Sequence, residues 1–118
     1  MALVGNPQER GQTLIVIGVD QGGAAVCIEL DDVSKFNEFS LQCSAGTMNC
    51  QVSLDGVIYT ANDMAWEDEM STTPQTRVIA FAAGNLYVMR ASIKSIRIQS
   101  SAGGVVNPRL MCGTVGRR

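Results

Sequence analysis

Between Asn37 and Cys43 the chain alternates without a fault, Asn-Glu-Phe-Ser-Leu-Gln-Cys, and Cys50 to Leu54 answers in the same period with Cys-Gln-Val-Ser-Leu. A period of two residues marks a strand with one dry and one wet face, because successive Cβ atoms point to opposite sides of a sheet. It argues against an amphipathic helix, whose apolar positions recur every three or four residues. Antiparallel pairing of Cys43 with Cys50 sets Leu41 against Val52 and Phe39 against Leu54. One face is then wholly apolar, and Ser40, Gln42, Gln51 and Ser53 fill the other.

Asp55-Gly56 supplies a tight turn into a further strand over Val57-Ile58-Tyr59-Thr60. Upstream, the β-branched run Thr13 to Val19 is followed by the turn formers Asp20 to Gly23 and then by Ala24 to Leu30. This reads as a hairpin with Ile17 opposite Val26 and Ile15 opposite Ile28. Both faces of the first of these strands are apolar, so it belongs in the middle of a sheet or beneath a partner. A third hairpin joins 77–82 to 86–90 across Ala83-Gly84-Asn85, with Phe81 facing Tyr87 and Ile79 facing Met89. Ile93 to Gln99 follows with Ile96 and Ile98 on one side. Beyond the turn-forming Gly103-Gly104, a last strand is built from Val105-Val106 or from Leu110-Met111-Cys112, separated by Asn107-Pro108.

The expected fold is therefore all-β: a single antiparallel β-sandwich or small barrel of about seven or eight short strands, with a long loop near residues 61–76. The chain divides into a flexible N-terminal arm at 1–12, the sandwich domain at 13–112 and a C-terminal tail at 113–118. With 118 residues it is long enough to close one hydrophobic core and too short for two ordinary domains.

Chemistry is sparse. There is no histidine, so the usual general base near neutral pH is missing and neither a Ser-His-Asp nor a Cys-His arrangement can be built. Cys27, Cys43, Cys50 and Cys112 contain no C-x-x-C pair and read as buried thiols, with a cross-strand Cys43–Cys50 disulfide as the alternative. Glu67-Asp68-Glu69 lacks the alternating order of a calcium loop. The expectation is a protein with no catalytic residues, no cofactor and no metal. A net charge of −2 without clustered Lys and Arg argues against nucleic acid. No apolar run approaches the roughly 18 residues of a membrane helix. Charged residues are only 17%, below the roughly 25% usual in soluble domains, which leaves surface suited to a protein partner.

Candidate contact residues are Leu3 and Val4 in the arm, Met64, Trp66 and Met70 in the long loop, and Arg109, Arg117 and Arg118 toward the C-terminus. Trp66, the only tryptophan, either anchors a protein contact or folds back as a lid over one end of the sandwich. The arginines either meet an acidic partner surface or belong to a solvated tail.

Three segments taken together, Cys50 to Gly56, Gly84 to Arg90 and Ile93 to Ile98, resemble small virion proteins of tailed bacteriophages, in particular β-sandwich capsid decoration or cement proteins. The resemblance spans roughly Phe39 to Gln99 and lies in strand and turn patterns. It implies copies, commonly trimers, on the outer surface of a capsid, made in the host bacterial cytoplasm and locking neighbouring subunits of the major capsid protein together. Two other readings stay open: a phage tail or head-to-tail connector component, and a carbohydrate-binding sandwich of the discoidin kind, which has a similar V-S-L-D-G turn. The latter needs exposed aromatic platforms or calcium, whereas aromatics here are 5% of the chain.

Overall fold

Eleven strand segments and no helix are found among the described residues of this computed structural model, which are 3–10, 13–20, 22–23, 25–61, 66–68 and 83–114. In chain order they are β1 (Leu3–Val4), β2 (Asn6–Arg10), β3 (Thr13–Ile17), β4 (Val26–Leu30), β5 (Glu38–Gln42), β6 (Ala45–Ser53), β7 (Thr60–Ala61), β8 (Glu67–Asp68), β9 (Tyr87–Arg90), β10 (Ser95–Val106) and β11 (Arg109–Gly113). They form two antiparallel sheets, β1-β4-β10-β6-β7 and β2-β3-β11-β5-β9-β8, packed as a β-sandwich.

The period of two decides which side chains point inward. Phe39 and Leu41 of β5, Met48 and Cys50 of β6, Ile96 and Ile98 of β10, and Leu110 and Cys112 of β11 are all buried, while their immediate neighbours along each strand are mostly more exposed. The buried hydroxyls are bonded, as burial requires. Ser95 Oγ donates to the Asp31 carbonyl at 2.6 Å, and Ser100 Oγ donates to the Gly23 carbonyl.

Pairing partners differ from the expected hairpins, because consecutive strands mostly cross from one sheet to the other. β3 and β4 do not pair: Ile17 lies opposite Asn6 and Arg109, whereas Ile28 lies opposite Ile98 and Val26 opposite Gln99. β5 and β6 likewise lie in different sheets instead of sharing a ladder. Leu41 pairs with Leu110 and Tyr87, and Val52 with Ile96 and Thr60. Leu54, placed on the inner face by continued alternation, is 80% exposed because the strand ends at Ser53. The strand expected at Val57 is reduced to Thr60–Ala61.

Gly103-Gly104 does not end a strand. β10 runs on to Val106, and its register against β6 shifts from Ser100↔Met48 to Val105↔Gly46, so five residue steps on β10 oppose two on β6. The surplus forms a large bulge. The 77–82 half of the third hairpin lies outside the described residues, and Tyr87–Arg90 is a strand between β5 and β8. Within 61–76, Trp66 and β8 are described. The segment read as an arm supplies β1, paired with Leu30 and Glu29, and β2, paired along the whole of β3. Pro7 is tolerated there because β2 is an edge strand.

Three crossings are laced together at one end of the sandwich. Gly18 N donates to the Pro108 carbonyl at 2.8 Å, Ser44 N to the Val106 carbonyl at 2.9 Å and Asn107 N to Asp20 Oδ1 at 2.6 Å. Gly46, next to this corner, has φ +88°, and a Cβ there would stand 1.6 Å from the Gly104 carbonyl oxygen. Gly84 has a similar φ of +84° with nothing within 4 Å. Gly84→Ala is therefore expected to cost only the strain of a left-handed residue, about 1–3 kcal/mol. Gly46→Ala is expected to cost clearly more, because backbone must also move. Urea unfolding midpoints of the two variants check the order.

Candidate interaction surfaces

Two patches of the surface combine apolar side chains with a fixed backbone. The first is the outer face of the sheet that contains β3, β11, β5 and β9. Because Val16, Leu110, Phe39 and Leu41 point inward, the residues between them point outward. Met111 sits between Ile15 and Ser40, and Ser40 sits beside Val88. Met111 is 43% exposed, and Ile15, Ile17 and Val88 are half-buried by their neighbours. Arg109 is exposed beside Ile17 and Gln42. The far end of the face carries the Arg90–Glu38 ion pair at 2.9 Å, which is solvent-exposed and contributes little to stability. The expectation that the 13–19 strand lies in mid-sheet is met by β3, and its second apolar face is this outer one.

The second patch is the loop that follows β6. Leu54, Val57 and Ile58 are 80%, 79% and 70% exposed. Asp55 and Ser53 fasten the backbone between them. Asp55 Oδ1 accepts hydrogen bonds from Val57 N at 2.8 Å, Ile58 N at 3.1 Å and Ser53 Oγ at 3.0 Å. Ser53 Oγ in turn accepts from Gly56 N at 2.8 Å and Asp55 N at 3.3 Å. The amides of Val57 and Ile58 hold the Asp55 carboxyl below its usual range. Beyond the loop, the Tyr59 ring packs 3.9 Å from the Arg97 guanidinium, whose Nη2 also binds Glu29 at 3.0 Å. Arg97, Glu29 and Gln51 are neighbours on the outer face of the other sheet, so this patch lies away from Met111.

The remaining candidate residues are dispersed. Leu3 and Val4 lie at the edge strand β1, Trp66 is 0% exposed within the core, and Arg109 is on the outer face just described. In the folded chain the Trp66 indole is covered by the protein itself. Met64, Met70, Arg117 and Arg118 lie outside the described residues. Reading by alternation missed Leu54, Val57 and Ile58. Their signal was Ser53 and Asp55 around Gly56, hydroxyl and carboxylate placed to bind turn amides, with aliphatic residues inside the turn.

All four cysteines are buried and free, including Cys43 and Cys50. Burial pushes the Cys27 thiol up from 9.0 to about 11, with the nearby Cys43 adding to it, and raises Cys112 to about 12. No group of three His, Cys, Asp or Glu among the described residues could hold a metal ion. Comparison with known proteins finds no matching family model, no matching curated protein and no matching solved structure.

A thiol whose folded-state pKa exceeds its unfolded value keeps its proton in the fold and loses it on unfolding. Stability is therefore full below the unfolded value of 9.0 and falls as pH rises from there toward about 11 to 12. The urea midpoint is expected to drop over that interval, and to drop less in a Cys112→Ala variant. At pH 8 the native protein should react with a thiol reagent far more slowly than the urea-unfolded chain, in which all four cysteines are accessible.

Proposed function

We propose that this chain is a non-enzymatic structural protein that decorates the outside of a bacteriophage shell, binds the major capsid protein there and associates with copies of itself. The observation that carries the reading is the outer face built on Ile15, Ile17, Met111 and Val88. A solvent-facing sheet ordinarily alternates to polar residues, and one that keeps Ile15 beside Met111, Ile17 beside an exposed arginine and Val88 across Ser40 is suited to a protein partner. Support also comes from the resemblance of Cys50 to Gly56, Gly84 to Arg90 and Ile93 to Ile98 to decoration proteins, segments that here fall in β6 with its following loop, β9 with its approach and β10. Bridging subunits of a shell requires contact surface and no covalent chemistry. A repeated lattice strengthens many modest contacts through avidity.

The test is cosedimentation with expanded empty bacteriophage shells assembled from the major capsid protein. Wild-type protein is expected to pellet with the shells at saturable stoichiometry. Met111→Asp and Arg109→Glu, both at exposed positions, are expected to weaken that binding at least tenfold while leaving the unfolding free energy from urea titration within about 0.5 kcal/mol of wild type. Wild-type protein that stays in the supernatant at every shell concentration would overturn the reading.

A further inference from the structure

Gly113 leaves a hollow in the outer face that carries Met111. We propose that this hollow is a pocket for one uncharged polar side chain of the protein partner, the carboxamide of a glutamine or asparagine. The assignment rests on the shell-binding reading above, under which that side chain belongs to the major capsid protein.

The hollow follows from register. Gly113 lies opposite Glu38 on β5, and Thr13 of β3 stands one step beyond the Cys112–Leu14 pair, level with Gly113 on its other side. Phe39 and Cys112 are buried, so Glu38 and Gly113 face outward together with Met111. A residue without a side chain in the middle strand leaves a gap between flanking strands that have them. Thr13, Glu38, Ser40, Met111, Gly113 and Thr114 enclose about 270 Å³ there. Asn37 N donates to the Gly113 carbonyl at 2.9 Å and fixes the floor. Sites for small molecules usually start at roughly 300 Å³, so this volume suits a single side chain.

Charge and hydrogen bonding select the occupant. Glu38 is the only carboxylate among the described residues that line the hollow, and Arg90 Nη2 takes its Oε2 at 2.9 Å. Arg10 of β2 is in register with Thr13, so basic residues stand at both flanks. A lysine or arginine would enter between two arginine positions, and an aspartate or glutamate would meet Glu38. An aliphatic group would strip water from Glu38 and from the hydroxyls of Thr13, Ser40 and Thr114 and return no hydrogen bond. A carboxamide meets every condition. It carries no charge, its NH2 can donate to the second Glu38 oxygen, and its carbonyl can accept from a hydroxyl. Met111 forms one wall, so the methylenes of the same side chain extend the apolar contact of the face.

The hollow can be filled without disturbing the fold. Nothing stands within 4 Å of a Cβ at Gly113, and its φ is not left-handed, so a β-branched residue fits the strand. Gly113→Val is expected to keep the urea midpoint at or above that of wild type and to bind the same shells at least tenfold more weakly. Ser40→Ala keeps the space, removes one hydroxyl and is expected to weaken binding several-fold. The ratio of wild-type to Gly113→Val affinity is expected to stay constant from low to high salt, because the excluded group is uncharged. A ratio that falls toward one as salt rises would assign the hollow to a charged side chain and overturn the carboxamide. Ser40→Ala binding as tightly as wild type would assign it to an apolar one. Wild-type binding with an unchanged Gly113→Val would overturn the pocket and leave the shell reading standing, whereas absence of any wild-type binding would remove both. Saturable shifts of the Ser40 amide resonance on adding glucose, lost in Gly113→Val, would assign the hollow to a sugar and overturn a protein side chain.

Discussion

The crossing from β10 to β11 through Asn107-Pro108 sets the arrangement of everything else. β10 is the middle strand of one sheet and β11 is interior to the other, so two residues carry the chain from the centre of one layer to the heart of the next. Asn107 takes the turn with φ 52°, a left-handed conformation that Asn accepts more readily than most residues. The neighbouring crossings are fastened to it. Pro108 receives the amide of Gly18, and Val106 receives both the amide and the hydroxyl of Ser44. Gly18, Asp20 and Ser44, which follow β3 and β5 in the chain, are thereby held at the same corner, and β3 and β5 flank β11 on either side.

Once the two sheets are stacked, the buried faces close on each other and the outer faces inherit whatever the sequence left over. On one side that remainder is polar: Glu29, Arg97 and Gln51 lie in register across three strands, with Tyr59 resting on the arginine. On the other it includes Ile15, Ile17, Val88 and Met111. The two outer faces therefore differ in their apolar content, although Ser40, Gln42 and the Glu38–Arg90 pair share the second one. The loop after β6 carries the exposed Leu54, Val57 and Ile58, and five short-range hydrogen bonds to Ser53 and Asp55 fasten its backbone.

Alternation made the inward set legible. Phe39, Leu41, Cys43, Cys50, Ile96 and Ile98 are all buried where the period of two places them. It was silent about partners, because a strand with one apolar face is satisfied equally by a hairpin neighbour in its own sheet or by a strand facing it across the core. Cys43 and Cys50 show the difference. Either arrangement puts both sulfurs in the interior, yet only the first would place them on adjacent strands. Leu54 shows the opposite failure, since one more step of a good period carried it inward on paper while Ser53 and Asp55 had already turned the backbone away.

Composition and period thus determined an all-β chain, the identity of most core residues and the absence of histidine chemistry, because these follow from side-chain type and from the geometry of a single strand. The tertiary structure alone decided which strands are neighbours, that Trp66 is covered by its own chain, and that Met111 and Ile15 share an outer face. Those outcomes depend on hydrogen bonds between residues far apart in sequence, such as Gly18 to Pro108 and Ser44 to Val106, and no local pattern contains them.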